Sequence, residues 1–131
     1  MKILIVDDEI VSRMKMYKIM TNFGDCDEAE GGSEAITAFT EAWQECLPYN
    51  LITLDISMPD MDGKETLSRI RAIEAEKKIP KEKQVKVIMV TANSDVNNFF
   101  LSVKSGCDEF IVKPFNRQRV IEKMQKIGFK V

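Results

Sequence analysis

Leu51-Ile52-Thr53-Leu54-Asp55 runs without interruption into Ile56-Ser57-Met58-Pro59-Asp60-Met61-Asp62-Gly63. A short apolar and β-branched run that ends in a carboxylate, then Pro and Gly punctuation, reads as a buried strand whose last side chain emerges at a turn. A charge at the mouth of such a strand is placed for chemistry rather than packing. Two further apolar runs end alike: Ile3-Leu4-Ile5-Val6 stops at Asp7-Asp8, and Phe110-Ile111-Val112 stops at Lys113-Pro114. Charges at the ends of separate strands suggest one shared site.

Along the whole chain five short apolar runs alternate with five segments of helical period, the pattern of an α/β fold with a parallel sheet. The predicted strands are Lys2 to Val6, Asp25 to Ala29, 51–54, 85–90 and 110–112. The second is the least strand-like because it is so acidic. The other runs are almost continuously apolar, which implies helices on both faces of the sheet. The helix after Asp8 carries Ile10, Met14 and Tyr17 with Met16, Met20 and Phe23, predicting a broad buried face before Gly24 stops it. Ser33, after Gly31-Gly32, is the expected N-cap of a second helix with the stripe Ala35, Ile36, Phe39, Ala42, Trp43 and Cys46. Pro48 ends that helix. Gly63 opens a third, with Leu67, Ile70 and the aliphatic stem of Arg71 buried, and 77–84 is a polar connection. A fourth helix follows Ser94 with Val96, Phe99, Phe100 and Val103 facing inward and Leu101 outward. Asn116 caps the fifth, which buries Val120, Ile121, Met124 and Ile127.

At 131 residues the chain fits one domain, 1–131, with no room for a second, output domain. With 31% charged residues and a net charge of −2, bulk electrostatics give no case for nucleic acid. No apolar stretch approaches the ~18 residues that would span a bilayer, and Met1-Lys2 leads straight into a core strand, so a cytoplasmic protein is expected. Cys26, Cys46 and Cys107 are widely spaced, without a CxxC pair, and read as reduced core thiols. The chain has no histidine, which excludes a His-based triad, a His-ligated metal and a phosphohistidine carried by the chain itself.

In open α/β sheets, ligands bind beyond the carboxyl ends of the strands, and right-handed crossovers bring those ends to one edge. Asp7, Asp8, Asp55, Thr91 and Lys113 all belong there. Asp7-Asp8 alone would serve as a helix cap, Thr91 alone as a strand-end hydroxyl bonded to backbone, and Lys113 alone as a solvated lysine. Two carboxylates about 4 Å apart repel by roughly 4 kcal/mol at an effective dielectric near 20, so three together require a proton, a lysine or a divalent cation. A hard, all-oxygen donor set favours magnesium, which suits phosphate chemistry.

Across essentially its whole length the chain resembles the receiver domain of two-component response regulators. The resemblance rests on the paired acids after strand one, Asp55 followed by Met58-Pro59 and Gly63, Thr91-Ala92, and Lys113-Pro114-Phe115. It implies a flavodoxin-like, doubly wound (βα)5 three-layer sandwich of strand order 2-1-3-4-5, an order for which a chemotaxis receiver is a standard illustration. It implies that Asp55 accepts a phosphoryl group from a histidine kinase or histidine phosphotransfer protein. Asp8, Asp55 and the backbone carbonyl of Ser57 would ligate Mg²⁺, with Asp7 holding it through water. Lys113 and Thr91 would contact the phosphoryl group, and the small Ala92 would leave room for the donor.

By the same resemblance Thr91 and Phe110 form the switch pair, with Phe in place of the tyrosine common at 110 removing a hydroxyl. Ser57 and Asn93 occupy the positions that tune phosphoaspartate lifetime. The implied protein is a stand-alone, phosphorylation-controlled signalling switch rather than an enzyme, catalysing only its own phosphorylation and dephosphorylation. Its downstream target would meet the face of the fourth helix, fifth strand and fifth helix. The basic positions 117, 119, 123, 126 and 130 give the last helix a positive outer side, either a draw for an acidic partner or an ordinary solvated face.

An aspartate-nucleophile phosphohydrolase also uses acids, lysine and Mg²⁺ on an α/β sheet, but Ser57 stands where the haloacid dehalogenase class needs a second aspartate. A flavodoxin-type phosphate binder needs a Ser/Thr/Gly-rich anion loop after strand one, where Asp7-Asp8-Glu9 would repel phosphate. A degenerate receiver that is never phosphorylated is disfavoured because all five site positions are filled.

Overall fold

The computed structural model describes residues 1–92 and 106–131. Asn93 and the predicted fourth helix, with Ser94, Val96, Phe99, Phe100, Leu101 and Val103, lie outside them. The described elements run β1 (Lys2–Val6), α1 (Ile10–Met20), β2 (Asp25–Ala29), α2 (Gly32–Gln44), β3 (Leu51–Asp55), α3 (Gly63–Glu76), β4 (Lys86–Thr91), β5 (Glu109–Val112) and α4 (Arg117–Lys126). A single 3₁₀ turn, Lys81–Lys83, follows Pro80 in the connection before β4.

All the strands are parallel, in the order β2-β1-β3-β4-β5. The chain therefore winds one way from β1 to β2 and the other way from β3 to β5, so the strand order reverses beside β1 and β3. The doubly wound α/β fold expected from the sequence is the fold observed. The acidic composition that weakened the prediction for β2 suits an edge strand. Exposed carboxylates at Asp25, Asp27 and Glu28 discourage pairing with another chain.

Alternation along each strand builds two cores. Leu4, Val6, Ile52, Leu54, Val87 and Met89 pack with Phe39 and Ala42 of α2 and Leu67 and Ile70 of α3. Ile3, Ile5, Leu51, Ile88, Val90 and Ile111 pack with Met16, Ile19 and Met20 of α1 and Val120 and Met124 of α4. Both faces are thus covered, as continuous apolar strands require. Deleting one of these side chains, for instance Phe39 or Leu67, would cost about 3 kcal/mol or more.

Several expectations need correction. Ile10 and Met14 do not join a broad buried face of α1: they are 60% and 57% exposed, and Val11 is 70% exposed. Apolar residues occur on both sides of α1, so periodicity does not choose a face; the sheet selects Met16, Ile19 and Met20 and, unexpectedly, buries Arg13. Ser33 is not the N-cap of α2. Gly31 holds that position and Ser33 lies inside the helix. All three cysteines are free thiols as expected, and Cys26 and Cys107 are half-buried against the two cores, but Cys46 follows the end of α2 and is exposed rather than part of its buried stripe. Burial pushes the Cys26 and Cys107 thiols up to about 11, which keeps them protonated at neutral pH.

Arg71, whose side chain is mostly covered, also anchors α3 through its head group. The guanidinium donates to Glu74 at 2.7 Å, to the Val85 carbonyl at 2.8 Å and to the Gly106 carbonyl at 3.0 and 3.1 Å, and pairs with Asp108 at 3.1 Å. Glu74, fully buried, also accepts from the Val85 amide at 2.7 Å. This network ties α3 to both segments that enter the last two strands. Asn116 caps α4 as expected, accepting from the Arg119 amide at 2.8 Å. The basic side of α4 is partly neutralised: Lys123 and Lys126 pair with Glu109 at 3.4 and 3.3 Å, and Arg119 with Glu122 at 3.4 Å. Among the described residues no helix is long and apolar enough to cross a membrane.

Candidate phosphoacceptor and metal site

The carboxyl ends of β1, β3, β4 and β5 meet at one edge of the sheet. Val6 lies beside Leu54, Asp55 beside Val90, and Thr91 beside Val112. One carboxylate oxygen from each of Asp7, Asp8 and Asp55 lies within 4.8 Å of the others. Asp7 and Asp55 are each only 5% exposed, whereas Asp8 faces solvent.

Backbone contacts fix these side chains. The Asp7 amide donates to the Ala29 carbonyl at 3.1 Å, and an Asp7 carboxylate oxygen accepts from the Glu9 amide at 2.9 Å. Ile56 donates to the Val90 carbonyl at 2.9 Å, holding the turn after Asp55 against β4. Lys113 donates its amide to the Thr91 carbonyl at 2.7 Å, so the end of β4 sets where Lys113 leaves the sheet. Gly63 lets α3 start directly against β3: a Cβ there would collide with the Asp55 carbonyl oxygen.

Lys113 Nζ lies 3.2 Å from Asp7 and 3.7 Å from Asp55. Burial pushes the Asp55 carboxyl up from 3.8 to about 7, the Asp7 charge adds to the rise, and Lys113 opposes it. The site thus brings together Asp7, Asp8, Asp55 and Lys113 from distant parts of the sequence, with Thr91 buried on the next strand. Ser57 lies in the exposed turn two residues past Asp55, and Ala92 is exposed beyond β4. Phe110, beside Met89, is half-buried against the α2–α3 core, with Lys123 Nζ 5.1 Å from its ring centroid. An all-oxygen, partly buried trio of carboxylates fits a hard divalent cation, and the open side at Asp8 gives access to it.

One participant was missed in the sequence. Arg13, 8% exposed, donates to the backbone carbonyl of Asp7 at 2.9 Å and pairs with Glu28 at 3.3 Å and Glu30 at 3.5 Å. It supports the acid pair from below. Its signal was available: position 13 shares a helical stripe with Met16 and Met20.

Residues 3–125 match the family model of the response regulator receiver domain. The chain belongs to that family. It is 37% identical over 128 residues to the chemotaxis protein CheY of Listeria monocytogenes, covering 96% of this chain and 97% of that protein. It is 36% identical over 127 residues to CheY of Bacillus subtilis, covering 95% of each. It is also 37% identical to the transcriptional regulatory protein ResD of Bacillus subtilis, but over 47% of that longer protein. Among solved structures, the CheX-CheY-BeF3-Mg²⁺ complex from Borrelia burgdorferi matches with a TM-score of 0.81 at 30% identity, covering 98% of this chain and 90% of that one. The protein is a CheY-like response regulator receiver, a two-component signalling module that accepts a phosphoryl group and acts as a switch; a phosphohydrolase is not favoured.

Proposed function

We propose that Asp55 is the phosphoacceptor of this receiver, and that a histidine kinase or histidine phosphotransfer protein is its donor. The observation that carries the reading is the convergence of Asp7, Asp8 and Asp55 within 4.8 Å beside Lys113 at the carboxyl edge of the sheet. An Asp55 carboxylate oxygen forms a bond to phosphorus as the phosphorus–nitrogen bond of the donor breaks, and the electron pair returns to the donor imidazole. Lys113 follows the transferred group as a point charge, and the Thr91 hydroxyl donates to one of its oxygens. Asp8, Asp55 and the Ser57 carbonyl would hold Mg²⁺, with Asp7 supporting it. A cation held there would offset charge on the phosphoryl oxygens.

The protein catalyses only its own phosphorylation and dephosphorylation, with Ser57 and Asn93 tuning the lifetime of the product. Phosphorylation biases a two-state surface through Thr91 and Phe110 toward a target docked on the β5 and α4 side. The half-buried Phe110 under Lys123 supports that route. Incubation with acetyl phosphate and Mg²⁺ tests the reading: intact mass should rise by one phosphoryl group in the wild-type protein and not in Asp55→Asn. Equal labelling of both proteins would overturn it.

A further inference from the structure

Helix α2 starts without a cap of its own. Gly31 at its N-cap offers no side chain, and the first amides of the helix turn instead to Asp60. Gly32 donates to Asp60 Oδ1 at 3.3 Å and Ser33 to Oδ2 at 3.1 Å, across 28 and 27 residues of sequence. A carboxylate at that point satisfies two unpaired donors and meets the positive end of the helix dipole. The Ser33 and Gly32 amides hold the Asp60 carboxyl below its usual range.

The contact has little slack. A Cβ on Gly31 would stand 2.7 Å from Asp60 Oδ1, and one on Gly32 would collide with the Thr66 hydroxyl oxygen. Gly31 has φ −169°, extended backbone open to any residue, so closeness to Asp60 rather than backbone strain makes glycine fit. Asp60 belongs to the turn that leaves Asp55, and that turn is held at both ends. Ile56 donates to Val90 at 2.9 Å, and Gly63 donates to the Ile56 carbonyl at 2.8 Å. Between those anchors, Asp60 bonds the turn to a different element.

We propose that Asp60 is a positioning residue for the phosphoacceptor site: by tying the turn after Asp55 to the N-terminus of α2, it sets where the Ser57 carbonyl is presented to the Asp7, Asp8 and Asp55 cluster. The Asp60 side chain acts through the backbone of the turn and touches neither metal nor phosphoryl group. A ligand carbonyl on a turn held in place binds without first losing the freedom of the turn, so the tie strengthens Mg²⁺ binding. The inference rests on the reading of the acidic cluster as the Mg²⁺ site.

Calorimetric titration of the full chain with MgCl₂ tests it, with circular dichroism establishing that each variant is folded at the titration temperature. Asp60→Ala should weaken Mg²⁺ binding about fivefold, the loss expected from one lost cap contact passed to the ligand. Asp60→Asn, which keeps one of the two acceptor oxygens and sets an NH2 against the other amide, should restore part of it. Gly31→Ala, which crowds Asp60 from the helix side, should weaken binding as well and serves if Asp60→Ala does not fold. Ala38→Gly, which loosens α2 away from the turn, should leave the affinity unchanged. Wild-type affinity in Asp60→Ala, or an equal loss in Ala38→Gly, overturns the positioning role. Asp8→Ala separates the two layers. If it binds Mg²⁺ like the wild type, the metal reading fails and the inference falls with it; if it loses Mg²⁺ while Asp60→Ala does not, only the inference fails.

Discussion

Lys113 Nζ stands 3.7 Å from a carboxylate oxygen of Asp55, although the two residues come from the ends of β5 and β3 with β4 between them. The same ammonium is 3.2 Å from Asp7, so one lysine offsets two carboxylates that are each 5% exposed. Lys113→Ala should therefore lower stability at pH 8 by about 1–3 kcal/mol, since breaking a buried ion pair leaves charge uncompensated. Urea unfolding in EDTA measures the loss, and adding Mg²⁺ should recover part of it. An unchanged midpoint would mean that the acids are balanced by something else.

Asp55 makes the opposite prediction. Its carboxyl is raised to about 7 in the folded chain from an ordinary 3.8, so the fold favours the neutral form. The resulting penalty is absent below pH 3.8, grows as pH rises, and is complete above pH 7. Asp55→Asn removes it. In metal-free buffer the variant should exceed the wild type by about 1–2 kcal/mol at pH 8, below the roughly 4 kcal/mol that the whole displacement represents because solvent on the open side of the site screens part of the charge. The gap should shrink toward pH 5; a gap independent of pH would show that charge at 55 is not the cause.

Thr91 ends β4 beside Val112, one residue past Val90, the neighbour of Asp55. Moving a two-state equilibrium from 1:99 to 99:1 takes about 5.5 kcal/mol, so a contact made only in the active arrangement matters. Thr91→Ala should still accept phosphate at Asp55 but show muted backbone NMR shifts over residues 106–120 on addition of beryllofluoride. The full wild-type pattern in the variant would mean that another route carries the signal.

Glu74 is fully buried, with its two oxygens on Arg71 at 2.7 Å and the Val85 amide at 2.7 Å. Glu74→Ala should cost about 1–3 kcal/mol, chiefly by leaving the buried Val85 amide without its acceptor, since Arg71 keeps the Val85 and Gly106 carbonyls and Asp108, whereas Glu74→Gln should cost less. Thermal unfolding distinguishes them. Equal stability of all three proteins would remove the network from the account of how α3 is docked.

The class of fold and the chemistry of its site can be read from the order of the residues alone. Near-continuous apolar runs at β1, β3 and β4 can be satisfied only by helices on both faces. Asp7, Asp8, Asp55 and Lys113 each end such a run, and parallel strands carry those ends to one edge. The residues at that edge were legible because an uninterrupted apolar run and the direction of the chain are local properties. The partners of charged side chains across elements were not. Asp60 reaches Gly32 and Ser33, Arg71 reaches Gly106 and Asp108, and Arg13 reaches Asp7, Glu28 and Glu30. A long polar side chain can satisfy its donors in many directions, and only the packed positions of other elements select one. The same holds for the exposed Ile10 and Met14: α1 offers apolar residues on more than one side, and which side is buried was decided when the helix settled on β1 and β2.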